Sequence, residues 1–267
     1  MIEDPTKKAN SSLPWQFMSF NNPQKAHYEA MHDDYAAHYY DPTSMAYRRE
    51  FVLKPLLNGF DLSGQRVADL ACGSGHNSLL LRELFPTARF EGFDISSSAC
   101  SDYEALGNGP AHQTDLTVPM DVAELFDAGI VIGGLHHCIQ NLPETILNLS
   151  RIIRPGGTLM LYEPNAGFLG ETVRKFWYRR DEYFEADTEG ALHPAELAGE
   201  AAEYFAVERS FTIGGPAYFV ILNSLVVRVP LPAKKYLAPP LFVAERLWNA
   251  VPLPSFKPAF GMVLLRK

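Results

Sequence analysis

Four groups of residues in this chain have the types and spacing that ligand chemistry requires. The first is VADLACGSGHNS, residues 67–78, in which Asp69 and Ala71 precede Gly73 and Gly75. Such glycines let the backbone turn sharply and approach a ligand with no Cβ in the way. The N–H groups opening the following helix then suit an anionic or carboxylate group. The second and third groups are single acids, Asp94 in FEGFDIS and Asp115 in HQTDL. At Asp94 a carboxylate can accept from ribose hydroxyls. At Asp115 it can accept from an adenine amine while Leu116 packs on the ring. One acid at a strand end reads equally well as a cap or turn residue, but three at successive strand ends exceed what capping explains. The fourth group is GGLHHC, where His136 and His137 follow Gly133. Histidine is suited to act as a base near neutral pH, the alternative being a structural role. No metal is expected: His136, His137 and Cys138 are consecutive and cannot all face one ion.

The elements that must position these groups alternate. Strands are expected at about 66–71, 89–95, 111–114, 128–133 and 158–163, and helices at about 76–84, 98–106, 118–125 and 143–153. The last helix has Ile146, Leu149, Ile152 and Ile153 on one face and RPGG as its stop. This rhythm predicts an α/β fold with a doubly wound, mostly parallel sheet, whose ligand lies beyond the carboxyl ends of the strands. Glu163 to Asn165 mark one more such end. A further helix is expected at about 194–204, and strands at about 207–213 and 259–265.

Composition sets the outer bounds. The chain has 267 residues, 47% hydrophobic and 20% charged, with a net charge of −8. That balance fits a globular enzyme and argues against a nucleic-acid partner. Cys72, Cys100 and Cys138 have no CxxC spacing and read as reduced thiols, and no apolar core follows the N-terminal charges. A cytoplasmic protein with no membrane span is therefore expected.

Taken in order, VADLACGSGHNS, FEGFDIS, HQTDL, FDAGIVIGGLHHC and LSRIIRPGGTLMLYEPN resemble the successive motifs of class I S-adenosylmethionine-dependent methyltransferases, over about residues 60–165. The resemblance implies a Rossmann-like, seven-stranded sheet with its last strand antiparallel. It implies S-adenosyl-L-methionine as cofactor and S-adenosyl-L-homocysteine as product. It puts Asp69, Ala71, Gly73 and Gly75 around the methionine part, Asp94 at the ribose, Ile95, Asp115 and Leu116 at the adenine, and Gly133 beside the sulfonium. The fuller E/D-x-G-x-G-x-G form is not met at Ala71 and Asn77; the A-C-G-S-G variant resembles small-molecule N- and O-methyltransferases. GGLHH replaces both the N/D-P-P-Y/F motif of base and glutamine methylation and the metal-binding carboxylates of catechol-type enzymes. The expected reaction is metal-independent methyl transfer to O or N of a small organic acceptor, a secondary metabolite included, with His136 or His137 as base. A cyclase, an isomerase or a cofactor-binding protein on the same fold is the alternative. An NAD-dependent oxidoreductase is disfavoured by Ser78, where a dinucleotide fingerprint has glycine.

The remaining segments frame this core. Residues 1–58 are expected to form N-terminal cap helices, 59–165 the cofactor-binding core, 166–192 a lid connection, and 193–267 the rest of the core with an apolar insertion at 216–256. Tyr28, His32, Tyr35 and Tyr39 share one helical stripe, which reads as core packing. The family resemblance instead has a cap helix closing over the ligands, with Tyr40 at the cofactor and Tyr28 and Tyr35 at the substrate. In VRKFWYRRDEYF, Trp177 would cover the acceptor and Arg174 pair with an acidic group on it; a solvated face is the plainer reading. The insertion would roof an apolar substrate or form a homodimer interface.

Overall fold

Strand β1 (Arg66–Leu70) is buried from Val67 onward, as the central strand of a parallel sheet must be. The computed structural model of the protein describes residues 38–170, 190–224 and 227–267. The other strands are β2 (Arg89–Asp94), β3 (Ala111–Gln113), β4 (Phe126–Ile132), β5 (Ile153–Pro164), β6 (Phe205–Ile213) and β7 (Ala259–Arg266). They form one seven-stranded sheet in the order β3-β2-β1-β4-β5-β7-β6. Strands β1 to β5 pair in parallel, and β7 runs antiparallel between β5 and β6. The order reverses between β1 and β4, so the carboxyl ends of these two strands open the crevice where such sheets bind ligands.

A helical run begins at α1 (Pro42–Tyr47), whose start is capped by Asp41. It continues through a π-helical stretch, Arg48–Leu53, into Lys54–Leu56. Helix α2 (His76–Leu84) follows β1, α3 (Ser97–Ala105) follows β2, and α4 (Leu142–Ile152) leads into β5. Ser96 caps α3 by accepting from the Ala99 N–H. Ile146, Leu149 and Ile152 of α4 are fully or almost fully buried, in keeping with their spacing. Helix α5 is Pro194–Ala201, and α6 is a 20-residue helix, Leu231–Ala250. Two apolar clusters flank the sheet. One gathers Tyr47, Val52, Leu56, Leu81 and Ile130; the other gathers Leu116, Phe126, Ile146, Leu149 and Phe260.

One expected helix is corrected, and two further stretches add to the expected pattern. No helix forms over 118–125. Asp115 accepts from both the N–H and the hydroxyl of Thr117, which sets a turn, and Pro119 disfavours helical backbone at Val118. RPGG does follow the end of the helix, at Ile152, and the strand expected at 158–163 is longer: β5 begins at Ile153, so these residues also open the strand. The insertion 216–256 contains α6, which runs through Pro239 and Pro240. Adjacent prolines usually break a helix, which is why the sequence hid it.

Candidate functional site

The crevice is built on backbone that most residues avoid. Gly73 and Gly75 have φ of 52° and 81°, and Ala71 adopts φ 54°. A non-glycine in the left-handed region stores strain, and such residues cluster at ligand sites. Ala71 also explains Gly134, since a Cβ there would lie 2.3 Å from the Ala71 Cβ. The ends of β1 and β4 are thereby held in close approach. Gly133 has φ 70° and no atom within 4 Å of where its Cβ would stand, so open space lies at the end of β4.

The Asp94 carboxylate accepts from the Gly73 N–H at 2.8 Å and the Ser96 N–H at 2.9 Å. It therefore joins the β2 end to the glycine turn. Asp69 is buried beneath that turn, and the Ser78 hydroxyl donates to it at 2.6 Å. Ser78 in turn lies 3.0 Å from the Tyr103 hydroxyl. Burial, and secondarily the Asp94 charge, push the Asp69 carboxyl up to about 7 against the opposing effect of the Ser78 bond. Ser78 thus has a definite task where a dinucleotide turn would have glycine.

Tyr40 stands over this turn. Its ring stacks on His76 with centroids 4.0 Å apart, and its hydroxyl lies 3.4 Å from the ideal Gly73 Cβ position. Burial foremost raises the Tyr40 pKa, so the phenol stays protonated. Arg48 lies 5.1 Å over the same ring and donates to Asn77 at 3.2 Å. At the adenine end, Ile95 is half-buried, and its carbonyl accepts from Gln113. Leu116 is 5% exposed and packs in the core, while both bonds to Asp115 fall on Oδ1.

Past Gly133 the chain makes a 3-10 turn, Leu135–Asn141, and here lies the residue that the sequence reading left without a role. Glu163, fully buried at the end of β5, accepts from the N–H groups of Gly134 at 3.1 Å and Leu135 at 2.8 Å. Its other oxygen lies 2.8 Å from His136 Nδ1. An ionised carboxylate accepts only, so opposite it Nδ1 of His136 carries a proton, and in the neutral ring the lone pair is on Nε2. The His137 ring lies tilted by 39° against that of His136 with centroids 3.9 Å apart, and the His137 backbone N–H donates to the Gly134 carbonyl. The one signal for Glu163 was an acid at a strand end beside GGLHH; without the pairing of β4 and β5 nothing connected them. Arg48 and Asn77 are further additions.

Asp69, Ala71, Gly73, Gly75, Asp94, Gly133 and Tyr40 are thus brought to one crevice, with His136 and His137 on the turn that leaves it. Tyr28, Tyr35, Arg174 and Trp177 lie outside the described residues. Among those described, no cluster of histidine, cysteine and acid side chains could hold a metal ion. The glycine turn and the open space at Gly133 fit an adenosyl cofactor: Asp94 would hold its ribose and the turn its methionine end.

Residues 67–157 match the family model of a methyltransferase domain. A stretch of 101 residues is 37% identical to the trans-aconitate 2-methyltransferase of Azoarcus sp. (strain BH72), covering 37% of this chain and 38% of that one. Another of 111 residues is 33% identical to the ribosomal protein L11 methyltransferase of Aliivibrio salmonicida (strain LFI1238), covering 39% and 35%. The chain therefore spans little more than a third of the length of these relatives. Among solved structures it is similar to the N-methyltransferase NodS from Bradyrhizobium japonicum WM9 in complex with S-adenosyl-L-homocysteine. That likeness has a TM-score of 0.54 at 13% identity and covers 90% of this chain and 98% of the other. Domain match and sheet order agree: residues 67–157 carry a methyltransferase domain, a domain type whose cofactor is S-adenosyl-L-methionine, set in a seven-stranded sheet of the Rossmann-like methyltransferase fold.

Proposed function

We propose that the protein is a cytoplasmic enzyme that transfers a methyl group from S-adenosyl-L-methionine to O or N of a small organic metabolite, without a metal ion. The observation that carries this reading is the His136–Glu163 pair on the turn directly after Gly133. The cofactor supplies a methyl group activated on a sulfonium. The chain has to align the nucleophile, exclude water and take up a proton. Gly133, lacking a side chain, leaves room at the end of β4. His136 accepts at Nε2 the proton of a hydroxyl acceptor, or that of an ammonium to free the amine for attack, and Glu163 stabilises the imidazolium that forms. Such a base suits a weakly acidic small molecule. The name of one relative, a trans-aconitate 2-methyltransferase, supports a small-molecule acceptor, and that of a structural neighbour, an N-methyltransferase, supports transfer to nitrogen, while the L11 enzymes act on a protein.

Calorimetry with S-adenosyl-L-methionine, S-adenosyl-L-homocysteine and NAD is the first test, followed by transfer of a labelled methyl group to metabolite fractions. Binding of NAD alone overturns the reading. Label appearing in protein and in no small molecule overturns the acceptor class. Asp94→Ala removes an ionised acceptor and slackens the Gly73 turn, so S-adenosyl-L-homocysteine should bind about tenfold to a hundredfold more weakly. An unchanged Kd would remove Asp94 from the cofactor site.

A further inference from the structure

Helix α6 carries an exposed apolar stripe on the side opposite the face it buries. Lys234, Ala238 and Glu245 are its buried residues, with Leu241 and Phe242 partly buried against the core. Diametrically opposed, at i, i+4, i+7 and i+11, lie Tyr236, Pro240, Val243 and Leu247, all exposed. A helix on a protein surface normally turns charged and polar residues outward; an apolar outward stripe calls for a further apolar neighbour. Leu237 and Trp248 widen the stripe on one flank, and Val251, Leu253 and Phe256 extend it beyond the helix. Trp248 and Phe256 meet edge to face at 6.4 Å, which makes helix and extension one surface. Eight of the fourteen large hydrophobic side chains exposed among the described residues lie between Tyr236 and Phe256.

Charge identifies what this surface fits. The chain as a whole is acidic, with a net charge of −8, yet after Glu208 its one acidic residue is Glu245, which is buried. The exposed charges after Glu208 are Arg228, Lys235, Arg246 and Lys267, of which Lys235 and Arg246 lie on α6. Lys235 lies over the Tyr236 ring at 4.9 Å, at the border of the stripe. Arg246 is paired with Glu50, the acid that faces the patch from the cap. Aromatic and aliphatic side chains edged by Lys235 and the Glu50-paired Arg246, with the helix's own acid turned inward, match the boundary between headgroups and acyl chains in an anionic bilayer. A second copy of the chain would bring the same cations against each other. No helix among the described residues is long and apolar enough to cross a membrane. We propose that α6 and residues 251–256 dock the protein on the surface of an anionic lipid bilayer, the apolar stripe lying in the plane of the interface. The proposal is independent of methyl transfer.

The test is cosedimentation of the full chain with phosphatidylcholine–phosphatidylglycerol vesicles and with phosphatidylcholine vesicles alone. Binding is expected with the mixed vesicles, about fivefold weaker without the anionic lipid or after Lys235→Ala. Val243→Asp and Leu247→Asp should each weaken it at least about tenfold, with thermal unfolding and S-adenosyl-L-homocysteine binding unchanged. Absence of binding to the mixed vesicles overturns the proposal, as does equal binding by the aspartate variants. A dimer in solution that Leu247→Asp converts to monomer also overturns it, assigning the face to a second copy.

Discussion

At the scale of single residues, the arrangement turns on which nitrogen of His136 holds the proton. Glu163→Gln is nearly isosteric, and its amide oxygen can still accept from Gly134 and Leu135, so the turn should persist. The amide nitrogen then faces Nδ1, which must accept, and the proton moves to Nε2, the wrong tautomer for a base. Imidazole nitrogen shifts in the free protein should report that exchange. Turnover should fall on the order of a hundredfold or more, with cofactor affinity unchanged. An unchanged tautomer in the variant would assign Glu163 to capping alone. The crevice around the glycine turn was legible from residue types, because the glycines that take positive φ and the acids at strand ends occur in sequence order. Glu163 was not, because its partner is 27 residues away and meets it only through the pairing of β4 with β5.

At the scale of elements, the glycine turn is as tightly packed from below as it is open above. A Cβ on Gly75 would lie 2.3 Å from Asn108 Nδ2 and 2.6 Å from Tyr103 Cδ2, on backbone at φ 81°. Asn108 is itself fixed, donating to the Gly75 carbonyl at 2.8 Å. Gly75→Ala should therefore lower stability by about 1–3 kcal/mol, from overpacking and strain together. Urea unfolding measures it, and a cost within about 0.5 kcal/mol would show that α2 shifts without resistance. Helix α2 begins and ends where its sequence pattern predicted, and β1 and β2 run within one residue of expectation. These elements are specified locally, by apolar periodicity and turn residues. Helix α6 was illegible for the opposite reason. Its propensity is poor, and what holds it is tertiary: Lys234 and Glu245, two charges that a periodicity argument assigns to solvent, are its innermost residues.

At the scale of the whole molecule, buried ionisable groups connect cradle, cap and α6, and they set how stability responds to pH and substitution. Folding raises the Asp69 carboxyl from 3.8 to about 7, so the native state binds the proton more tightly than the unfolded chain. Its contribution is complete below about pH 4 and lost as pH rises through about 7, on the order of a few kcal/mol. Asp69→Asn keeps an acceptor for Ser78 and should flatten that decline in thermal unfolding between these pH values. The second link is Lys234, whose ammonium donates to the His38 carbonyl, the Asp41 carboxylate and the Ser44 hydroxyl. Burial works against ionised Asp41, yet the bonds from Lys234, Ser44 and Thr43 hold its pKa below the ordinary value. Lys234→Met keeps the apolar stem but leaves that carboxylate without its cation, costing about 3 kcal/mol. Asp41→Asn can still cap α1 through Thr43 and Ser44, so adding it to Lys234→Met should restore about 1 kcal/mol or more. Tyr40 lies between His38 and Asp41, so Lys234→Met should also weaken S-adenosyl-L-homocysteine binding, and the second substitution should recover part of it. If the two losses simply add in urea unfolding, the lysine holds α6 by packing alone, and the cap owes its position to other contacts.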